Sequence, residues 1–122
     1  MAERISDAEH AVMEVLWSEA PLDAQTVAER LAKTQDWTLA TVKTLLSRLV
    51  AKDALATAAD GRKFLYRPLI ARTAYVAGES QRLVDKLFGG KLTPLVAHFA
   101  ERESLSAEDI AEIEALLQEL KK

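Results

Sequence analysis

The sequence predicts a mainly helical fold that contains one small β-hairpin, and two patterns in the chain lead to this prediction. Apolar residues recur at helical spacing through most of the 122 residues. Around Asp60-Gly61 the spacing changes instead to the alternation that is typical of strands. With 49% hydrophobic residues and no cysteine, the composition is that of a folded chain without disulfides or thiolate metal sites.

Three short helices are expected before the hairpin. Ser6 and Glu9 form a capping box at the start of the first helix, and Pro21 ends it because the residue before a proline disfavours helix. Asp23 is the expected N-cap of the second helix. The third helix runs from Thr38 to about Asp53. Its apolar stripe consists of Val42, Leu45, Leu46, Leu49 and Val50.

The hairpin is expected from residues 55–59 and 62–67, on either side of Asp60-Gly61. This dipeptide favours a two-residue type I′ turn, because both central residues of such a turn need positive φ. In the second strand, Phe64 and Tyr66 lie on one face and the neighbouring residues on the other. The alanine-rich first strand has helical propensity as well, but the turn and the aromatic residues favour a strand.

Three further helices are expected after Pro68. The first starts near Thr73 and ends at Gly89-Gly90, the second opens at Thr93-Pro94, and Ser106 to Asp109 cap the third. The predicted domains are therefore residues 1–69 and residues 70–122. Because the second domain is too short to build a large core alone, we expect it to form a homodimer. The expected dimerisation residues are Val76, Leu83, Leu87, Ile110, Ile113, Leu117 and Leu120.

The positive charge is concentrated in the middle of the chain. The formal net charge is −3, yet residues 37–68 carry six basic and two acidic side chains, a net of +4. A local basic patch matters more to a polyanion than the total charge does. The alternative is that this excess is only the solvated face of a helix, since patches of this size are common on surfaces.

The third helix carries a narrow polar face opposite its apolar stripe. This outer face consists of Ala40, Lys43, Thr44, Ser47 and Ala51, with Thr41 and Arg48 beside it. Small and hydroxyl-bearing side chains suit a DNA major groove, which is about 12 Å wide. Three helices followed by a basic hairpin are typical of a winged helix-turn-helix domain, in which the hairpin is the wing. The expected DNA-binding residues are Thr38, Thr41, Lys43, Thr44, Ser47, Arg48, Arg62, Lys63 and Arg67.

Two other function classes are alternatives to a DNA-binding regulator. A winged-helix module that binds an acidic protein partner would carry a similar basic patch. An enzyme is disfavoured, because the sequence holds no Ser/His/Asp set, phosphate-binding loop or H-E-x-x-H spacing. With only two histidines and no cysteine we expect no metal site and no cofactor. The absence of a long apolar run or signal-peptide pattern predicts a cytoplasmic protein without membrane insertion.

Several segments together resemble the penicillinase-repressor family (BlaI/MecI). They include residues 5–9, the run from Thr41 to Leu49, and Phe64-Leu65-Tyr66. In the C-terminal half the resemblance continues through residues 87–90 and 95–100, so that it covers nearly the whole chain. It implies a dimeric transcriptional repressor with an N-terminal winged helix on a two-fold symmetric operator and a C-terminal helical dimerisation domain.

The resemblance also implies how repression is relieved. Family members block the promoters of β-lactamase or penicillin-binding-protein genes, and a membrane β-lactam sensor triggers proteolysis of their dimerisation domain. The corresponding bond in this chain is His98–Phe99, where His98 replaces the usual Asn. A copper-responsive branch of the family carries a cysteine-rich metal hook, which this cysteine-free chain lacks.

Overall fold

The computed structural model describes residues 4–122 and contains six helices and three strands within them. Their bounds are α1 (Asp7–Ser18), β1 (Leu22–Asp23), α2 (Ala24–Leu31), α3 (Leu39–Ala51), β2 (Leu55–Asp60), β3 (Lys63–Pro68), α4 (Arg72–Phe88), α5 (Leu92–Glu101) and α6 (Ala107–Leu120). The chain divides into two compact units, the first ending at Tyr75 and the second running from Val76 to Lys122. The domain boundary expected after residue 69 stays a prediction, because compactness alone does not show that a unit folds independently.

The predicted helix starts in the first unit are confirmed. The Ser6 hydroxyl accepts a hydrogen bond from the Glu9 backbone N–H at 3.1 Å, and the Ser6 N–H donates to the Glu9 carboxylate at 2.8 Å. Asp23 caps α2 by accepting from the Thr26 N–H at 2.9 Å. Each cap satisfies a backbone N–H that has no partner within its own helix.

The core of the first unit lies where α1, α2 and α3 meet the start of β2. Four of the five residues in the predicted α3 stripe are buried, and Val50 is half-buried. Because the stripe faces this core, the opposite side of α3 is left to solvent. The buried apolar residues are Val12, Met13, Leu16, Val27, Leu31, Val42, Leu45, Leu46, Leu49, Ala54 and Leu55.

The sheet has three antiparallel strands in the order β1-β3-β2, one more than the sequence predicted. The extra strand β1 is only two residues long, with Leu22 opposite Tyr66 and Asp23 opposite Leu65. Two residues are too few to display alternation, so no periodic pattern could reveal this strand. Through β1 the wing, which consists of β2 and β3, is joined to the chain that enters α2.

The predicted hairpin is confirmed, but the position of its turn was wrong. Asp60 belongs to β2 and pairs with Lys63, so the two central residues of the turn are Gly61 and Arg62. Gly61 has a φ of 65° and Arg62 has no positive φ, which is the pattern of a type II′ turn and not of type I′. Glycine fits the first central position because it has no Cβ to clash there.

The second unit contains most of α4, together with α5 and α6. Gly89 and Gly90 follow α4 with positive φ values of 58° and 83°, which confirms the predicted stop. The expectation that Pro94 takes the first position of α5 was wrong, since the helix begins at Leu92. Proline is tolerated at the third position of a helix because the first backbone N–H groups of a helix have no intrahelical acceptor. The N–H that proline lacks therefore costs no helical hydrogen bond. Among the described residues, no helix is long and apolar enough to cross a membrane.

Candidate nucleic-acid interface

The first turn of α3 is fixed by two threonines that the sequence had assigned to the interface. The Thr38 hydroxyl accepts from the Thr41 backbone N–H at 3.2 Å and lies 3.2 Å from the Thr41 hydroxyl, to which it donates. Both side chains remain exposed. Thr38 therefore sets where α3 begins while its neighbour Thr41 stays accessible at the same end of the helix.

The outer face of α3 is exposed along its whole length. Lys43, Thr44, Ser47 and Arg48 line one shallow surface groove together with Ala51. The Thr44 hydroxyl donates to the Ala40 carbonyl at 3.1 Å, so this residue offers the two acceptor lone pairs of its oxygen and its methyl group to a ligand. The face thus presents two cations, two hydroxyl groups and small apolar surfaces on a single helix.

The cations of the basic block differ in whether they have a partner within the described chain. Lys63 lies 3.4 Å from the Asp23 carboxylate, and Lys52 is paired with Glu9. Four others form no ion pair with any residue in 4–122 and are exposed. These unpaired cations are Lys43, Arg48, Arg62 and Arg67. An unpaired surface cation keeps its full charge available for an anionic ligand.

The wing and α3 share a second groove, about 450 Å³ in volume. Lys43 and Ser47 contribute to it from α3, and Arg62 and Lys63 contribute from the turn and from β3. The fold therefore brings together residues that are about twenty positions apart in the sequence. Arg67 is exposed further along β3 and does not line this groove.

The C-terminal end of α3 is held against α1 by a buried ion pair. The Lys52 ammonium donates to the Glu9 carboxylate and, at 2.9 Å, to the carbonyl of Arg4. Burial of Glu9 opposes its ionisation, but hydrogen bonds from Lys52 and Ser6 outweigh this effect and hold the pKa of the carboxyl below its usual value of 4.5. This pair fixes the orientation of α3 and leaves Lys52 unavailable to a ligand.

Comparison with known proteins shows to which family the chain belongs. A sequence profile of the family described as "Penicillinase repressor" matches residues 5–119. The chain belongs to the penicillinase repressor family. The family comprises DNA-binding transcriptional repressors that have no enzymatic activity.

Two relatives of this penicillinase-repressor chain match along nearly their whole length. The penicillinase repressor of Bacillus licheniformis is 36% identical over 97% of this chain and 92% of its own. The methicillin resistance regulatory protein MecI of Mammaliicoccus sciuri is 30% identical over 93% of this chain and 92% of its own.

A solved structure of the Bacillus licheniformis repressor BlaI in its monomeric form, in complex with the blaP half-operator, is also similar. It is 39% identical, with a TM-score of 0.53, and covers 62% of this chain and 92% of that one. The winged-helix fold predicted from the sequence is thereby confirmed.

The groove also contains residues that were not among the predicted DNA-binding residues, and two of them, Asp23 and Phe64, bear on its chemistry. Asp23 lies beside Lys63 and, through hydrogen bonds from Thr26 and the proximity of Lys63, has a pKa below the usual value of 3.8. Phe64 lines the same groove and is 57% exposed. The sequence predicted Asp23 as a cap and Phe64 on a strand face. It did not predict that either residue lies in this groove, because that depends on how the wing packs against α2 and α3.

The residues expected to form the dimer interface lie in the α4 and α6 helices. Six of the seven are exposed, and Ile113 is half-buried. Within the second unit no residue is buried in the single chain. His98 and Phe99, which flank the expected cleavage site, lie on α5 and are exposed. Their assignment to dimerisation and to cleavage stays a prediction.

Proposed function

We propose that this chain represses transcription by occupying an operator, with the outer face of α3 in the major groove and the wing on the flanking backbone. The observation that carries this proposal is the set of four unpaired cations on α3 and the wing. Thr41, Thr44 and Ser47 lie among these cations on the same exposed helix. Cations neutralise phosphates, while hydroxyl and methyl groups can read base edges.

Each contact has a defined chemical role in this proposal. Lys43 and Arg48 donate hydrogen bonds to guanine acceptors or to phosphate oxygens, and the Thr44 methyl group contacts thymine methyls. Arg62, Lys63 and Arg67 contact the backbone beside the major groove. Lys63 must share its charge between Asp23 and DNA, so we expect it to contribute less than Arg62.

The repressor acts as a homodimer in this proposal. The exposed leucine, isoleucine and valine side chains of α4 and α6 support it, because a second copy would remove this apolar surface from water. A two-fold dimer would place two copies of α3 on half-sites one helical turn of DNA, or a multiple of it, apart. Linking two half-site contacts raises the overall affinity without any new contact.

Relief of repression would follow from proteolysis between His98 and Phe99. This bond lies in the last turn of α5, which ends at Glu101, and the end of a helix opens more readily than its centre. Cutting there would separate α6 from α4 and so remove part of the proposed dimer surface. Mass spectrometry of the fragments formed in cells exposed to a β-lactam would identify the bond that is cut.

The DNA contact is tested by removing two cations from the outer face. We expect Lys43→Ala with Arg48→Ala to weaken binding to a duplex of the region upstream of the protein's own gene by at least about tenfold, since two phosphate or base contacts are lost. The matched control is Lys86→Ala with Lys91→Ala, which removes the same charge from the second unit. Equal affinity of the two double variants in a mobility-shift assay would contradict the proposal.

A further inference from the structure

The wing carries one large apolar side chain that is exposed to solvent, the ring of Phe64. Phe64 is 57% exposed, although it lies on the face of the wing that is directed toward the core. That face pairs Leu55 with Pro68, Thr57 with Tyr66 and Ala59 with Phe64. Leu55 is buried and Tyr66 half-buried, so the apolar face runs out of the core and ends at Phe64.

The neighbours of Phe64 explain why the ring is not covered. Its cross-strand partner is Ala59, whose side chain is a single methyl group. The next pair on the strand is Lys63 opposite Asp60, both of which are exposed. The larger neighbour on the same face is Tyr66, two residues along β3, and it packs against the core.

The ring lines the groove that also contains Lys43 and Ser47 of α3 and Arg62 of the turn. An anionic ligand drawn in by these cations would reach Phe64 at the same time. DNA combines phosphates with apolar parts, namely the deoxyribose carbons and the thymine methyl groups. The groove accordingly offers both an electrostatic and an apolar contact to one ligand.

We infer that Phe64 is a DNA-contacting residue that supplies apolar, salt-independent affinity beside the cations of the wing and α3. This inference rests on the proposed function, which it extends to a residue that carries no charge and no hydrogen-bonding group. Cation contacts weaken with salt because they release counterions, whereas burial of apolar surface does not depend on counterion release. The two kinds of contact can therefore be separated by measuring affinity as a function of salt.

The test compares two single variants by fluorescence anisotropy on the upstream duplex between about 50 and 200 mM salt. We expect Phe64→Ala to raise Kd by about tenfold at every salt concentration, as expected for loss of a partly buried ring, and to leave the salt slope unchanged. We expect Arg62→Ala to reduce the magnitude of the slope by about 0.9. Leu69→Ala is the matched control, because Leu69 is 51% exposed in the same unit but does not line the groove.

Replacing thymine by deoxyuridine in the duplex identifies which apolar part of DNA is contacted. A smaller effect of Phe64→Ala on the substituted duplex indicates a thymine methyl group, and an equal effect indicates deoxyribose. Either result supports the inference. Thermal unfolding of Phe64→Ala should match that of the wild type, since the ring is largely outside the core.

Two results would overturn the inference, and they can be told apart. If the wild type binds the duplex and Phe64→Ala binds it equally well, or if the variant changes the salt slope, Phe64 makes no apolar contact with DNA. If the wild type itself fails to bind duplex DNA at any salt concentration, the proposed function fails and the inference fails with it.

Discussion

Lys52 and Lys63 each pair with a carboxylate, but the two pairs lie in different surroundings. The Lys52 side chain is 17% exposed and its partner Glu9 is 2% exposed, whereas the Lys63 side chain is 60% exposed. Breaking a buried pair leaves an uncompensated charge in the protein, while an exposed pair is replaced by water. The first pair therefore stabilises the position of α3, and the second leaves its lysine free to exchange partners.

Lys52→Met should lower the free energy of unfolding by about 1–3 kcal/mol, because Glu9 is then left buried without its cationic partner. Lys63→Met makes the same chemical change at the exposed pair and should cost less than about 0.5 kcal/mol. Urea unfolding of both variants measures the difference. Equal stability of the two variants would show that the Glu9–Lys52 pair does not hold α3 in place.

For single residues, the sequence predicted which side chains of α3 are exposed. It did not predict which of the basic side chains are already paired with a carboxylate. The 3.6-residue period places Lys43, Thr44 and Ser47 opposite the apolar stripe, and the structure has all three exposed. The Glu9–Lys52 pair joins residues 43 positions apart, so no local pattern reveals that Lys52 is already paired. The same limit applies to Phe64, whose position over the groove depends on how the wing packs.

The helices and strands follow from local signals wherever those signals are strong. Ser6, Asp23, Thr38 and Ser106 all act as the N-caps that their residue types predict. Where neighbouring residues are similarly suited to end a strand or to begin a helix, the predicted boundary differs from the observed one by one or two residues. Asp60-Gly61 marked the hairpin correctly, but pairing of Asp60 with Lys63 moved the turn to Gly61-Arg62.

The apolar side chains of α4 and α6 lead to a prediction about assembly. Leu83→Glu or Leu117→Glu should convert the dimer into a monomer of 13.5 kDa, because a charge would be buried at the proposed interface. Leu69→Glu, in the first unit, should leave the dimer intact. Sedimentation equilibrium at micromolar concentration measures the mass. A wild type that sediments as a monomer would contradict the proposed homodimer.

For the whole molecule, the distribution of charge is more informative than its sum. The net charge of −3 suggests no polyanion partner, yet the unpaired cations Lys43, Arg48, Arg62 and Arg67 lie on α3 and the wing. Across residues 4–122, several acidic groups of the first unit are engaged in caps or ion pairs, including Glu9, Glu19 and Asp23. The charge that remains available around the outer face is therefore positive.

Because the chain contains no cysteine, a single reactive group can be placed on the outer face of α3. The most direct test attaches an iron–EDTA DNA-cleaving reagent to Ser47→Cys and maps the cuts on the upstream duplex, with Ser18→Cys as the control at the exposed end of α1. We predict two symmetry-related clusters of cuts, one helical turn of DNA or a multiple of it apart, that the control lacks. Absence of cuts from Ser47→Cys bound to the duplex, or an equal pattern from Ser18→Cys, would contradict the assignment of α3 to the operator.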